Sequence, residues 1–140
     1  MANWTADLGI GIRGIDEDHA RLVFLINELD DAVSARRSAL AVRELLEELL
    51  AATGAHFCRE EQVMRRARYP GLTAHKHQHD ALLKELRLMV RAVEGGQRRI
   101  DAQTIDWLRI WMSGHVRGQD REMAQFLRGD VAAMALGSVA

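Results

Sequence analysis

Along most of the chain, apolar residues recur at intervals of three and four, the period of an amphipathic helix and not the alternation of a half-buried strand. This spacing predicts four helices. The first opens near Asp16 and keeps Ile15, His19, Leu22, Ile26, Leu29 and Val33 on one stripe until the polar SARRS segment at 34–38 stops it. A second runs from about Ala39 to Ala67, with Leu45, Leu49, Ala52, His56, Glu60 and Val63 inward, and ends at YPG, 69–71, which holds the chain's single proline. The third, from about Leu72 to Val93, turns His75, His79, Leu82, Leu86, Met89 and Val93 inward and closes at EGGQ, 94–97. A fourth begins at Asp101, a suitable N-cap, and presents Ile105, Leu108, Trp111, Met112 and His115. After Gly118 the helix is expected to break, with residues 120–128 forming a short extra turn.

Four amphipathic helices joined by short connections bury their stripes most simply as an all-α, antiparallel up-down-up-down four-helix bundle, here with a short C-terminal helical turn. At 140 residues and 48% apolar content the chain is sized for a single domain. Its expected parts are an N-terminal arm over 1–15, the bundle over about 16–118 and a C-terminal segment over 119–140.

Charge narrows the function classes. A formal net charge of -1 leaves no long-range field to attract nucleic acid or an anionic membrane, so the RRAR run at 65–68 reads as a solvated helix face. No apolar stretch approaches the ~20 residues of a membrane span, and the first residues lack the basic-then-apolar pattern of a signal peptide. One cysteine, Cys58, cannot form an intrachain disulfide. A cytoplasmic protein without membrane insertion is expected.

The candidate chemistry lies on the inward stripes. HKHQH, 75–79, places three of the six histidines in five positions. Helical residues four apart lie within about 40° of each other, whereas residues two apart are nearly opposed, so His75 and His79 share the core face and His77 points to solvent. His56 and Glu60 repeat the four-residue spacing on the second helix, and His19 and His115 fall on the stripes of the first and fourth. One inward histidine is ordinarily a hydrogen-bonded core residue. Five imidazoles and a carboxylate converging in an apolar bundle would leave many buried polar groups unsatisfied unless a cation gathers them. Asp120, five residues past His115, should sit about 140° off that face on a regular helix. Gly118 would let the turn unwind and return the carboxylate to the channel; an ordinary exposed Asp capping the next turn is the alternative.

Imidazole and carboxylate donors without thiolate suit iron, with zinc, copper and manganese compatible by ligand type. Seven side chains exceed what one ion takes, so the site is expected to be dinuclear, bridged by Glu60 and Asp120. Two octahedral ions would have all but one position filled by five imidazoles, two bridging carboxylates and one bridging oxide or hydroxide. The vacancy falls to the ion with two histidines, where a diatomic ligand would bind end-on.

These residues resemble the hemerythrin family, in particular its single-domain bacterial members: Trp4 and GIRGIDEDH ending at His19, HFCREEQVM at 56–64, YPGLTAHKHQH at 69–79, and HVRGQD at 115–120. The likeness spans Trp4 to Phe126. It implies a non-haem di-iron protein for carriage, storage or sensing of oxygen, in which dioxygen binds reversibly at one five-coordinate iron. By the resemblance, His75, His79 and His115 would hold the six-coordinate iron, His19 and His56 the five-coordinate one, and Glu60 and Asp120 would bridge them. Leu22, Ile26, Phe57, Met64 and Trp111 read first as core and, functionally, as a dry oxygen pocket. Asp18, where many relatives carry glutamine, puts the hydrogen bonding around the open iron in question. Glu61 is expected to be solvated or to support a ligand from outside. A di-iron oxidase, peroxidase or nitric oxide reductase on the same residues is the alternative, although the Glu-x-x-His spacing of carboxylate-rich di-iron oxygenases is absent at these positions. A zinc-filled bundle is a third reading. Dioxygen, and nitric oxide for the alternative, are the partners; no protein partner is indicated.

Overall fold

The structure is a computed structural model that describes residues 9–129. Trp4 and the tail beyond residue 129, both read in the sequence, lie outside the described residues. Helices α1 (Arg13–Ser34), α2 (Ala39–Arg66), α3 (Leu72–Glu94) and α4 (Ala102–His115) form an antiparallel four-helix bundle, and a π turn (Val116–Asp120) continues directly into α5 (Arg121–Leu127). Helix α1 packs against α2 and α4, and α2 against α3. Histidine rings of α3 meet His115 of α4 on the remaining side. No helix among the described residues is long and apolar enough to cross a membrane.

The ends of the helices explain the turns between them. After α1, α2 and α3 the chain takes a left-handed residue, at Arg36 (φ 54), Arg68 (φ 55) and Gly96 (φ 70). The following amide reaches back to a carbonyl in the last turn, as in Arg37 to Ala32, Tyr69 to Met64 and Gln97 to Ala92. This paired reverse bonding satisfies the orphan carbonyls and stops each helix. At two of the three sites an arginine adopts a conformation that glycine takes at no steric cost. Ser38 and Asp101 cap α2 and α4, accepting from the amides of Ala41 and Thr104.

Three sequence expectations change in detail. Helix α1 begins at Arg13, three residues before Asp16. Asp16 does act at the helix start, but from inside the first turn, its carboxylate accepting from the amides of Ile10 and Gly11. On α2 the buried stripe is Val42, Leu46, Leu49, Thr53, His56, Phe57, Glu60 and Met64, while Leu45, Ala52 and Val63 are only half-buried. Their phase is one residue off, because the stripe is wide enough to admit either neighbour by sequence and the facing helices choose. The third change concerns the break expected after Gly118. The chain stays helical there and widens into a π turn, with Gly118 outside the left-handed region. A π turn takes one more residue per turn than an α-helix, so residues five apart return to one face.

The core is aliphatic away from the histidines: Leu25, Leu29, Leu46, Leu86 and Ile105 are each at most 2% exposed. Burying each such side chain contributes about 1.5–3 kcal/mol. That packing holds the four backbones rigidly enough to position polar groups between them.

Candidate metal centre

Seven buried polar side chains meet at one end of this core, each brought there by a named element. His19 comes from α1, His56 and Glu60 from α2, His75 and His79 from α3, His115 from the last residue of α4, and Asp120 from the end of the π turn. All are at most 5% exposed, and Glu60, His79 and Asp120 are completely buried. His77 and Cys58 are exposed, as their two-residue offsets from His75, His79 and His56 require.

The seven form two overlapping groups. Ligand-capable atoms of Glu60, His75, His79, His115 and Asp120 lie within 4.8 Å of one another, and so do those of His19, His56, Glu60 and Asp120. Only the two carboxylates belong to both. Glu60 Oε2 is 2.8 Å from His56 Nε2 and 3.9 Å from His19 Nε2, while its Oε1 is 3.3 Å from His75 Nε2 and 3.5 Å from His79 Nε2. Asp120 divides in the same sense, with Oδ2 3.1 Å from His19 Nε2, and Oδ1 2.7 Å from His75 Nε2 and 3.1 Å from His115 Nε2. Each carboxylate thus turns one oxygen to each group.

A cation fits this arrangement better than internal hydrogen bonding does. Despite these short separations, both oxygens of Glu60 and of Asp120 and the Nε2 atoms of His56 and His75 lack a partner with hydrogen-bond geometry. Donor atoms aimed at a common centre approach one another without pointing at one another. His79 Nε2 and His115 Nε2 face each other at 3.1 Å, where two lone pairs repel unless a proton or a cation lies between them.

The outer nitrogens are tied down. His56 Nδ1 is 2.9 Å from Asp18 Oδ2, His79 Nδ1 is 2.9 Å from Glu61 Oε2, and His115 Nδ1 is 3.0 Å from Gln78 Oε1. Ionised carboxylates and amide oxygens only accept, so each Nδ1 carries the proton and each Nε2 lone pair points inward. Arg59 grips the outer side of Asp18 through Nε at 2.8 Å and Nη2 at 2.7 Å. The sequence reading raised Asp18 and Glu61 without assigning their contacts, and it missed Gln78. A polar residue directly before His79, turned about 100° toward α4, was the available signal. Aromatic rings brace two of the imidazoles: Phe57 stacks on His79 with centroids 3.7 Å apart, and Trp111 on His115 at 4.7 Å.

Electrostatics agree with a site built for positive charge. Burial alone would raise the Glu60 carboxyl, but the imidazoles of His56, His75 and His79 outweigh it and hold it at about 2. Asp120 is held well below the ordinary carboxylate range, where burial is again overcome, by His115, His19 and His75. Burial pulls His75 down, yet Asp120 and Glu60 raise it to about 9. At His56 burial is likewise overcome, by Glu60 and Asp18, whereas at His115 burial prevails and lowers it. Without a cation, protons on imidazoles compensate the two buried carboxylates; a bound cation replaces them.

Beside the donors lies a small, largely apolar cavity of about 30 Å³. Leu22, Ile26, Phe57 and Trp111 line it, together with Leu49, Thr53 and Met112. Met64, expected in such a pocket, is fully buried but is not among its walls. It lies one turn beyond Glu60 on α2, on the far side of that carboxylate from Leu49, Thr53 and His56. The cavity touches His19, His56, His115 and Asp120 and not His75 or His79.

Comparison with known proteins is consistent over nearly the whole chain. The family model for the hemerythrin HHE cation binding domain matches residues 10–127. The chain is 36% identical over 124 residues to bacteriohemerythrin of Stenotrophomonas maltophilia (strain R551-3), covering 86% of this chain and 78% of that protein. It is 35% identical over 120 residues to bacteriohemerythrin of Pseudomonas aeruginosa (strain PAO1), covering 84% and 75%. A crystal structure of wild-type hemerythrin superposes with a TM-score of 0.84 at 24% identity, covering 91% of this chain and 98% of that one.

Proposed function

The chain belongs to the hemerythrin family, and on that premise we propose that it is a non-haem di-iron oxygen-binding protein that takes dioxygen reversibly and end-on at one five-coordinate iron. His75, His79 and His115 would hold one iron, His19 and His56 the other, with Glu60 and Asp120 shared between them. When bound, the iron pair supplies two electrons and one open coordination position for a diatomic ligand.

The observation that carries the reading is the cavity. It lies against both His19 and His56, the pair that leaves its ion one ligand short, whereas of the three histidines of the other group it touches His115 and not His75 or His79. At about 30 Å³ it has room for a diatomic ligand. Its aliphatic and aromatic walls exclude bulk water and so protect a reduced centre from solvent-assisted oxidation. The protein's own contribution is to orient: Asp18 and Gln78 accept the Nδ1 protons of His56 and His115 and fix their ring planes. A cytoplasmic setting belongs to the same reading, since the lone Cys58 is exposed and free.

The test is anaerobic reduction followed by oxygen titration, with iron quantified on the same sample. Two irons per chain and a visible charge-transfer band that appears with oxygen and vanishes on its removal are expected. Irreversible bleaching on the first exposure to air, or catalytic consumption of oxygen or nitric oxide with a reductant, would replace the carrier reading with an enzymatic one.

A further inference from the structure

Two arginine pairs, at 36–37 in the stop after α1 and at 98–99 in the connection before α4, take no part in the metal centre. They meet at the other end of the bundle, where Arg36, Arg37, Arg98 and Arg99 all line one recess of about 500 Å³. Ser38 and Ala39, at the start of α2, belong to its rim. Val42, Val93 and Ile100, each at most 8% exposed, give it an apolar floor. Ala39 and His56 are both on α2, and the helical rise between them sets the recess roughly 25 Å from the metal donors.

No acidic residue lines this recess. Two other surface recesses that hold arginines also hold their compensation: Asp18 and Glu48 stand with Arg21 and Arg59 in one, and Glu85 and Asp101 with Arg98 in the other. In the first, ion pairs close the charge, Arg21 Nη2 to Glu48 Oε1 at 3.0 Å and Arg59 Nη2 to Asp18 Oδ1 at 2.7 Å. Among the described residues, the ion pairs of arginine with a carboxylate include none of Arg36, Arg37, Arg98 and Arg99. Asp101 is linked to Arg98 through Thr104, whose hydroxyl donates to the carboxylate at 2.9 Å and accepts from Arg98 Nη2 at 3.1 Å. Helix α2 adds to the positive charge, since its first turn carries no acidic side chain and its leading amides lie at the positive end of the helix dipole. The end of α1 favours Arg36 and Arg37 taken alone, but it gives no reason for a second pair to converge on them from the connection before α4. An anion in the recess would offset all of these charges together.

We propose that this recess binds a small organic anion bearing two phosphoryl groups, the arginines and the start of α2 taking the phosphoryl oxygens and the apolar floor the organic body. A guanidinium offers paired donors that match phosphate oxygens, and the first amides of a helix direct further N–H groups at the same charge. One phosphoryl group carries about two negative charges at most, so four guanidinia match roughly two such groups. The volume falls in the range of small-ligand sites, and its combination of apolar floor and convergent polar rim is the usual composition of one. A nucleoside diphosphate has both the anionic and the organic part and serves as the probe. The site is independent of the oxygen-binding reading, and each can fail without the other.

Isothermal titration calorimetry of the iron-loaded protein at low salt, with ADP, inorganic pyrophosphate and adenosine in turn, tests this. One ADP per chain is expected, with pyrophosphate about tenfold weaker for want of the organic body and adenosine without measurable heat. Arg37→Ala and Arg99→Ala should each weaken ADP by about tenfold, the loss of one charge-assisted contact. Arg66→Ala is the control, because it removes the same charge from an exposed position at the metal-centre end of α2 and should leave ADP binding unchanged. Iron content per chain is expected to be the same in all four proteins, which shows that the variants are folded. Absence of binding by ADP would overturn the site. An equal loss in Arg66→Ala would reduce it to general attraction of anions by the chain's positive charges, and pyrophosphate binding as tightly as ADP would overturn the organic ligand.

Discussion

Glu61 Oε2 lies 2.9 Å from Nδ1 of His79, while Oε1 of Glu60, its chain neighbour, is 3.5 Å from Nε2 of the same ring. Consecutive glutamates thus attend the two nitrogens of one imidazole, one from the site and one from its rim. If Glu61 holds the ring in its ligating tautomer, Glu61→Ala weakens metal retention by about 10–100-fold and Glu61→Gln by less, since the amide oxygen still accepts the Nδ1 proton. Iron remaining after timed chelator challenge measures this, and equal retention in all three proteins would remove Glu61 from the site.

Helical phase makes a sharper demand on the HKHQH segment. His77 is exposed and His79 fully buried. His77→Ala is expected to keep two irons per chain and an unaltered visible spectrum, whereas His79→Ala loses iron and the oxygen-dependent band. Elemental analysis and absorption on the same samples decide it.

Asp18 tests how the outer side of a histidine is held. Its Oδ2 accepts from His56 Nδ1 and from Arg59 Nε together. Asp18→Asn keeps an acceptor for His56 and should keep the iron with altered oxygen affinity, because the histidine loses an anionic partner. Asp18→Ala loses metal affinity by about 10-fold or more. Oxygen titration beside iron quantification separates the two effects.

Leu46 is fully buried on α2, ten residues before His56 and so roughly 15 Å along the helix from it. Leu46→Ala should cost about 2–5 kcal/mol through the lost burial and the space left behind. Denaturant unfolding reads the loss, and iron content per folded chain is expected to stay at two, since the donors are untouched.

Acid should weaken the start of α4 in a way one variant can isolate. The backbone amide of Thr104, then its hydroxyl, hold the Asp101 carboxyl below its ordinary 3.8. A carboxyl depressed on folding contributes stability above its unfolded value, and that contribution is lost as pH falls through the folded value. The Tm difference between the unaltered protein and Asp101→Ala should therefore hold constant from pH 7 to about 5 and shrink below about 4. Metal loss in acid affects both proteins and cancels in the difference.

Much of the bundle was legible because its information is local. Three-and-four spacing, the stops at SARRS, YPG and EGGQ, and the Asp101 cap each depend on a few neighbouring residues. Local geometry also sorted His75 and His79 from His77, and His56 from Cys58. Where a choice depended on the facing helix, the reading lost a residue of phase, as with Leu45 and Val63 against Leu46 and Met64. Gln78 and the contacts of Asp18 and Glu61 were not assignable for the same reason: each partner lies on another helix.

Asp120 marks the division most clearly. The amino-acid order by itself determined a helical chain with five inward imidazoles and a buried glutamate, since residues a turn apart share a face whatever surrounds them. It did not determine how a carboxylate five positions past His115 could join them, and an unwound glycine was the local answer. Tertiary structure supplied a π turn instead. An extra residue per turn weakens local hydrogen bonding, and only the packing of α4 and α5 against the rest of the bundle makes it the favoured backbone. The cavity is likewise a property of helices brought together, because empty space has no position in a sequence.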